Sequence, residues 1–427
     1  MKSKMPSVIM NSDTAEQSQT RLVQKDDSEV LESVNLLVDD KPMSLKGISK
    51  YELQFCQISY RRQLMDVINL LSFRSVIEQP LFGFPRTLRR LNTTDSHNSG
   101  SVVFTVESRE LLGSIVPSVP KYLVIKMSPH MLSQKNPGKG RFTDSENHLH
   151  VSDPPNIEAH IMLKIRRLII KNMLPNVCLL YKYCVLSRWR VIDEGLPLAA
   201  LEEWRRWWVQ KPPLCRDSAV VMIVEHCRGG SLRQIAKSRA LSLEEWKSLI
   251  WQLLYTLTVL NDEFPGFKHN DLHLGNVLIQ QITPGGYWQY TYKDQSFYVP
   301  NFGMSLRLFD FDWSSAADFP NAKVHKSLHR RDVPSASGPN VFDVHYILNI
   351  IYSYKGVPEA LCKWILKVYG KQGVKHTSNI CLNRRLLKDM RDLERFPTPW
   401  KLMHDGFFNS FRQQPSMTFC CGSFSYQ

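Results

Sequence analysis

The chain has no run of 18 apolar residues, the length a membrane-spanning helix needs, so none is expected. No C-x-x-C pair is present either. The nine cysteines are scattered, with only Cys420 and Cys421 adjacent, which argues against a zinc site and for reduced thiols in a cytosolic or nuclear compartment. The first residues, Met1-Lys2-Ser3-Lys4, lead into polar sequence and not into an apolar signal core. A long basic run is missing too. The net charge of +14 is spread over pairs such as Arg61-Arg62, Arg166-Arg167 and Arg330-Arg331. Such a surface would attract nucleic acid, anionic membrane or acidic protein, but nothing beyond net charge points to nucleic acid. No internal repeat is visible.

What is present is enough apolar sequence for a sizeable core: 427 residues, 43% of them hydrophobic, long enough for two domains or one domain of two lobes. Residues 1–45 are polar and read as a disordered extension, and residues 46–85 as a helical segment before the main domain. From 86 onward the pattern turns to strands. Ser101–Val106 and Tyr122–Met127 are β-rich, and the second carries Lys126, an ammonium that needs a partner if buried. A polar loop over 129–153 precedes a helix opened by Pro154-Pro155, with Glu158 near its start. Val177–Val185 and Ala219–Glu225 read as further strands, separated by a Trp-rich basic stretch (187–216) that reads as an amphipathic helical insertion. Gly229-Gly230 then breaks the chain. Ser242 is the expected N-cap of a helix running from Leu243 to about Asp262. Residues 280–305, with Gly285-Gly286 and many aromatics, suggest a β-hairpin, and helices dominate from 340 to about Phe411. A β-rich half, a two-glycine hinge and an α-rich half leave a cleft suited to a nucleotide.

The chemistry concentrates in His269-Asn270-Asp271-Leu272-His273-Leu274-Gly275-Asn276 and in Asp310-Phe311-Asp312. Asp271 can take a proton from an attacking hydroxyl. Asn276, on the same short loop, offers an amide oxygen to a metal. Asp310, at the end of the alternating stretch Ser305–Phe309, offers a carboxylate. Hard oxygen donors of this kind suit Mg²⁺. Phosphoryl transfer asks for little else: in-line positioning, and positive charge on the phosphate oxygens.

These pieces resemble the protein-kinase catalytic loop and metal-binding Asp, and the likeness covers about residues 95–412. It is closer to the Ser/Thr protein kinases of nucleocytoplasmic large DNA viruses, through Trp251–Leu257, Phe267–Leu272, Phe309–Asp312, Asp343–Tyr346 and Phe407–Arg412. Haspin-like kinases are similar over Asp271–Leu278. The resemblance implies an α+β, bilobal protein-kinase-like fold, with a β-rich N-lobe (86–227, with insertions), an α-helical C-lobe (228–412) and a tail over 413–427. It implies ATP and Mg²⁺ as cofactors, a protein substrate, an intracellular setting (cytoplasm or nucleus, host cytoplasm or virion for a viral protein) and transfer of the γ-phosphate to Ser or Thr hydroxyls.

Residue by residue, the resemblance makes Lys126 the lysine on the nucleotide phosphates and Glu158 its ion-pair partner. Asp271 becomes the catalytic base, and Asn276 and Asp310 the metal ligands. Val224, Glu225 and Cys227 belong to the hinge that meets adenine, with Val224 as gatekeeper. Gly100 and Val102 close the phosphate loop, and Asp343 is the buried Asp bracing the catalytic loop.

The chain departs from that pattern in several places. Asp95 and His97 stand where phosphate-loop glycines are usual. Asn270 replaces the Arg that docks a phosphorylated activation loop, which implies activity without that phosphorylation. Asp312 replaces a Gly. His273 stands where many protein kinases place a Lys on the transferred phosphoryl; a neutral His would donate one hydrogen bond there. No Ala-Pro-Glu follows. A small-molecule kinase of the choline or aminoglycoside type and a catalytically weak nucleotide-binding scaffold remain as alternatives.

Overall fold

The structure is a computed structural model that describes residues 89–90, 101–108, 121–131, 154–186, 215–321, 324, 341–373, 396–416 and 420–427. The chain divides into Met1–Gly47 and Ile48–Gln427, and every described residue lies in the second unit. The expectations for the N-terminal extension, for a helix before residue 79, for Gly100 and for the Trp-rich stretch up to 214 lie outside the described residues.

The fold is mixed α/β, consistent with a kinase-like fold. Its first part is a five-stranded sheet in the order β1-β2-β3-β5-β4. The strands are β1 (Arg89–Arg90), β2 (Val102–Glu107), β3 (Tyr122–Met131), β4 (Leu180–Leu186) and β5 (Cys215–Glu225). In β2 the buried residues Val102, Phe104 and Val106 alternate with half-buried neighbours, as a strand with one covered face requires. Central β3 is buried continuously from Leu123 to Ser128, because it has strands on both sides and cover on both faces. It runs to Met131, past the loop boundary expected at 129, since the ladder to β5 continues that far.

Helix α1 (Pro154–Ile170) packs on this sheet. Its buried stripe is Glu158, Ile161, Met162, Ile165 and Ile169, at helical spacing. Glu158 therefore enters the core with its apolar neighbours, and this placement obliges the fold to supply a cation.

The second part is built around α3 (Leu243–Glu263), buried from Trp246 to Leu260. Its start is a capping box: Glu245 N–H donates to Ser242 Oγ at 3.2 Å, and Ser242 N–H donates to Glu245 Oε2 at 2.7 Å. Such a cap contributes about 1 kcal/mol. Short α2 (Leu232–Ser238) precedes it, and α4 (Val341–Tyr352), α5 (Glu359–Gly373, broken at Gly370), α6 (Pro399–Met403) and a 3₁₀ turn (Gly406–Arg412) follow.

Between α3 and α4, β6 (Val277–Gln281) pairs antiparallel with β9 (Met304–Leu308). The chain between them forms the hairpin β7 (Tyr287–Tyr292) and β8 (Gln295–Pro300). The hairpin turns at Lys293-Asp294, with Lys293 at φ 51°, and not at Gly285-Gly286, which lie ahead of β7. A strand not anticipated in the tail, β10 (Cys420–Tyr426), adds parallel to β7 and buries Phe424 and Tyr426. No helix among the described residues is long and apolar enough to cross a membrane.

Candidate active site

The β6–β9 ladder decides which polar residues meet. Asn276 immediately precedes β6, and Phe309-Asp310 immediately follow β9, whose last residue pairs with Val277. Phe309 N–H accordingly donates to Asn276 O at 3.1 Å, and Asn276 and Asp310 share one end of the ladder. Asp310 has φ 68°, a left-handed conformation that costs a non-glycine residue about 1–2 kcal/mol.

Lys126 reaches this end from β3. Its Nζ lies 2.6 Å from Asp310 Oδ1 and 2.7 Å from Glu158 Oε1. Lys126 is 3% exposed and Glu158 wholly buried, so this is not a lysine reaching for water. The Phe309 ring lies 5.0 Å from the same ammonium. Burial alone would lower the Lys126 pKa; the carboxylates of Asp310, Glu158 and Asp312 outweigh it and hold the ammonium above its ordinary value, protonated. Burial pushes the Glu158 carboxyl up to about 7 against the pull of Lys126, with Asp310 and Asp312 as competing negative charges. Glu158 Oε2 is buried with no hydrogen-bond partner among the described residues.

The loop carrying Asp271 is held from below. Asp343, wholly buried in the first turn of α4, accepts from His269 N–H at 2.6 Å and from Asn270 N–H at 2.9 Å. The expected bracing role is therefore realised by direct backbone contacts. His269 Nε2 lies 3.0 Å from Phe309 O, and its ring packs against Phe311.

Asn270 has φ 62°, and its Nδ2 donates to Trp313 O and to Ser315 Oγ, each at 3.0 Å. Lys268 and Ser315 also pair through their backbones, at 2.8 and 2.9 Å. Where the resemblance has an Arg awaiting a phosphate, this chain has a short amide already bonded to the segment after Asp312. Buried Asn321 holds that segment further, donating through Nδ2 to Asp312 O and Ser314 O, each at 2.9 Å.

Asn276 Nδ2 donates to Asp271 O at 2.9 Å and lies 3.4 Å from Asp271 Oδ2. This fixes the orientation of the amide and turns its oxygen away from Asp271. His273 Nδ1 accepts from Gly275 N–H at 3.0 Å, so the proton of the neutral ring sits on Nε2, 3.9 Å from Asp271 Oδ2. His273 thus faces Asp271.

The sheet register separates the remaining expected residues. Directly opposed residues share a face. Val103 is opposite Lys126, and Val124, on the Lys126 face, is opposite Val224; Val224 is therefore on the lysine's face. Val102 is opposite Met127 and points the other way, whereas Val103, Thr105 and Glu107 of β2 share the Lys126 face. Glu225 is also on the opposite face. Its carboxylate accepts from Leu179 N–H at 3.2 Å and pairs with the buried Arg307 of β9 at 3.4 Å, so its side chain is committed to these contacts. Cys227 follows β5, buried, and its carbonyl accepts from Gly230 N–H at 3.2 Å. Gly229 is required where it stands, because a Cβ there would lie 2.7 Å from Ile279 O.

Sequence reasoning missed Arg307, Asn321 and the Trp313–Ser315 contacts. An Arg between Leu306 and Leu308 in the strand Met304–Leu308 is a readable signal of a buried acid elsewhere.

With this geometry, the chain is similar to proteins named as kinases in large DNA viruses, although no protein-family model matches it. A protein of Acanthamoeba polyphaga mimivirus, provisionally named a serine/threonine-protein kinase, is 27% identical over 209 residues, 45% of this chain and 44% of the relative. A second mimivirus protein with the same kind of provisional name is 36% identical over 73 residues, covering 16% of this chain and 18% of the relative. A Frog virus 3 protein, also provisionally named a serine/threonine-protein kinase, is 36% identical over 73 residues, 17% of this chain and 8% of the relative. The chain thus covers less than half the length of each of these relatives.

Proposed function

We propose that this protein is a Mg²⁺- and ATP-dependent protein kinase acting on Ser or Thr hydroxyls. The observation that carries the reading is the convergence of Lys126, Glu158 and Asp310 with Asn276 and Asp271 at one end of the β6–β9 ladder. The kinase names of the viral relatives support a protein substrate. In this reading residues 86–227 and 228–412 form two lobes around a nucleotide cleft, and the protein works inside the cell.

The donor set fits Mg²⁺. Asp310 presents a carboxylate whose side chain is 24% exposed, and Asn276 presents an amide oxygen oriented by its bond to Asp271. When bound, the ion would neutralise phosphate charge that no side chain here could balance alone. Lys126, protonated and held by Glu158, positions the phosphates. The backbone of Glu225 and Cys227 meets the adenine edge, beneath Val224. Asp271 orients the acceptor hydroxyl and takes its proton, and His273, whose Nε2 lies 3.9 Å from Asp271 Oδ2, stands beside it to donate a hydrogen bond to the transferred phosphoryl. Asp343 keeps the loop in place throughout.

The test is phosphate transfer from radiolabelled Mg-ATP to basic and acidic model proteins and to a panel of hydroxyl metabolites. Wild type is compared with Asp271→Asn and Asp310→Ala. Transfer to protein Ser or Thr that both substitutions abolish supports the reading. Transfer only to a metabolite makes the protein a small-molecule kinase. Nucleotide binding without transfer makes it a scaffold.

A further inference from the structure

Two cysteine thiols to which the proposed function assigns no role lie side by side. Cys178 and Cys227 are free and buried, 49 residues apart in sequence, with Sγ atoms 3.6 Å apart. Their flanks are already tied together: Glu225 N–H donates to Leu179 O at 2.9 Å, and Leu179 N–H to Glu225 Oε2 at 3.2 Å. Cys178 is anchored on its other side by N–H donation to Leu308 O at 3.0 Å. Cys227 lies between β5 and the Gly229-Gly230 turn, whose Gly229 N–H is bonded to Ile279 O at 2.9 Å. Two sulfurs in van der Waals contact on segments fixed this way need side-chain rotation and a small approach to bond.

We propose that Cys178 and Cys227 are a redox-active dithiol, closed to a disulfide by small-molecule disulfides and reopened by thiols. Cys227, 8% exposed against 1% for Cys178, meets the oxidant first. Its thiolate attacks one sulfur of the oxidant and releases one thiol, leaving a mixed disulfide. The Cys178 sulfur then attacks the Cys227 sulfur and expels the second thiol. Two electrons pass from the pair to the oxidant, and the two cysteine protons end on the two released thiols. Burial, with the neighbouring thiol, pushes the Cys178 group up, so the second step is the slow one. The bond would join the lead into β4 to the hinge. Its consequence for nucleotide rests on the function proposed above; its formation does not.

The experiment uses the full chain, incubated with glutathione disulfide or with dithiothreitol, then blocked with iodoacetamide, digested and mapped by mass spectrometry. The expected result is a Cys178–Cys227 linked peptide in the oxidised sample, with loss of both alkylated peptides, and reversal by dithiothreitol. Thermal stabilisation by Mg-ATP should be several-fold weaker in the oxidised wild type, and Cys178→Ala should bind nucleotide as the reduced wild type does and lose the sensitivity to oxidant. Both cysteines remaining alkylatable after prolonged oxidation, or glutathionylated without a cross-link, would overturn the proposal. A cross-link in a protein that binds no nucleotide in either state would leave the dithiol standing and remove the kinase reading instead.

Discussion

The Lys126 ammonium sits 2.6 Å from Asp310 Oδ1, joining the central strand of the first sheet to the segment just after β9. The same ammonium is 2.7 Å from Glu158, so one buried cation serves two carboxylates from two other elements. That sharing ties the stability of the site to a single cation.

Lys126→Met should abolish phosphate transfer and destabilise the fold. Removing one partner of a buried ion pair costs about 3–5 kcal/mol, because the other charge is left uncompensated. Adding Glu158→Gln to Lys126→Met should recover much of the stability and none of the activity. Urea unfolding alongside the transfer assay reads both; a double variant no more stable than Lys126→Met would mean that the uncompensated carboxylate is not the cause.

The pH dependence of stability follows from Glu158. Its folded pKa, raised by burial to about 7, lies above the ordinary carboxyl value of 4.5. The folded state then holds a proton that the unfolded chain has released. The corresponding stability is present in full below about pH 4.5 and is lost as pH rises through about 7. Glu158→Gln cannot titrate, so the stability of wild type relative to this variant should decline across that window. A difference that is flat, or that grows with pH, would contradict the raised value.

Asp343→Ala removes the acceptor for two N–H groups, the buried one of His269 and the half-buried one of Asn270. Each orphaned donor costs about 1–3 kcal/mol, and Asp271 loses its fixed position. The expected outcome is a fall of at least tenfold in kcat with a smaller change in the KM for ATP, since Lys126 and the hinge are untouched. Steady-state kinetics decides; a change confined to KM would place the effect of Asp343 elsewhere.

Asn270 combines a left-handed backbone at φ 62° with bonds to Trp313 and Ser315. Asn270→Gly keeps the conformation and loses the bonds, whereas Asn270→Ala loses both. The alanine variant should be less stable than the glycine variant by about 1 kcal/mol. Both should show faster amide exchange over 313–315, measurable by hydrogen–deuterium exchange. Unchanged exchange in both would show that the side chain does not hold that segment.

Much of the arrangement was legible where it is local. The Ser242 N-cap, the strand that delivers Asp310 just past its end and the helix opened by Pro154-Pro155 depend on spacings within a few residues, and spacing is visible in a sequence. The face of β2 was harder. Val102 and Val103 are equally apolar, and only the pairing of Val103 with Lys126 decides which lies on the lysine's face. β10 was missed although Phe424 and Tyr426 alternate with serines, because so short a run acquires strand character only by docking on β7.

By itself the sequence determined the chemical inventory of the loop: Asp271 and Asn276, five residues apart on one short loop, can face a single pocket, and in the structure Asn276 Nδ2 donates to Asp271 O. Glu158 was by spacing an ordinary acid near the start of its helix, and its burial beside Ile161 and Ile165 came with the packing of α1 on the sheet. Only the tertiary structure decided which cation would answer it. Lys126 is 32 residues from Glu158 and 184 from Asp310, and His269 is 74 from Asp343. Those distances are closed by sheet register and helix packing, which arise from the burial of many apolar side chains at once. A single charge can demand a partner, but the packing of the core chooses it.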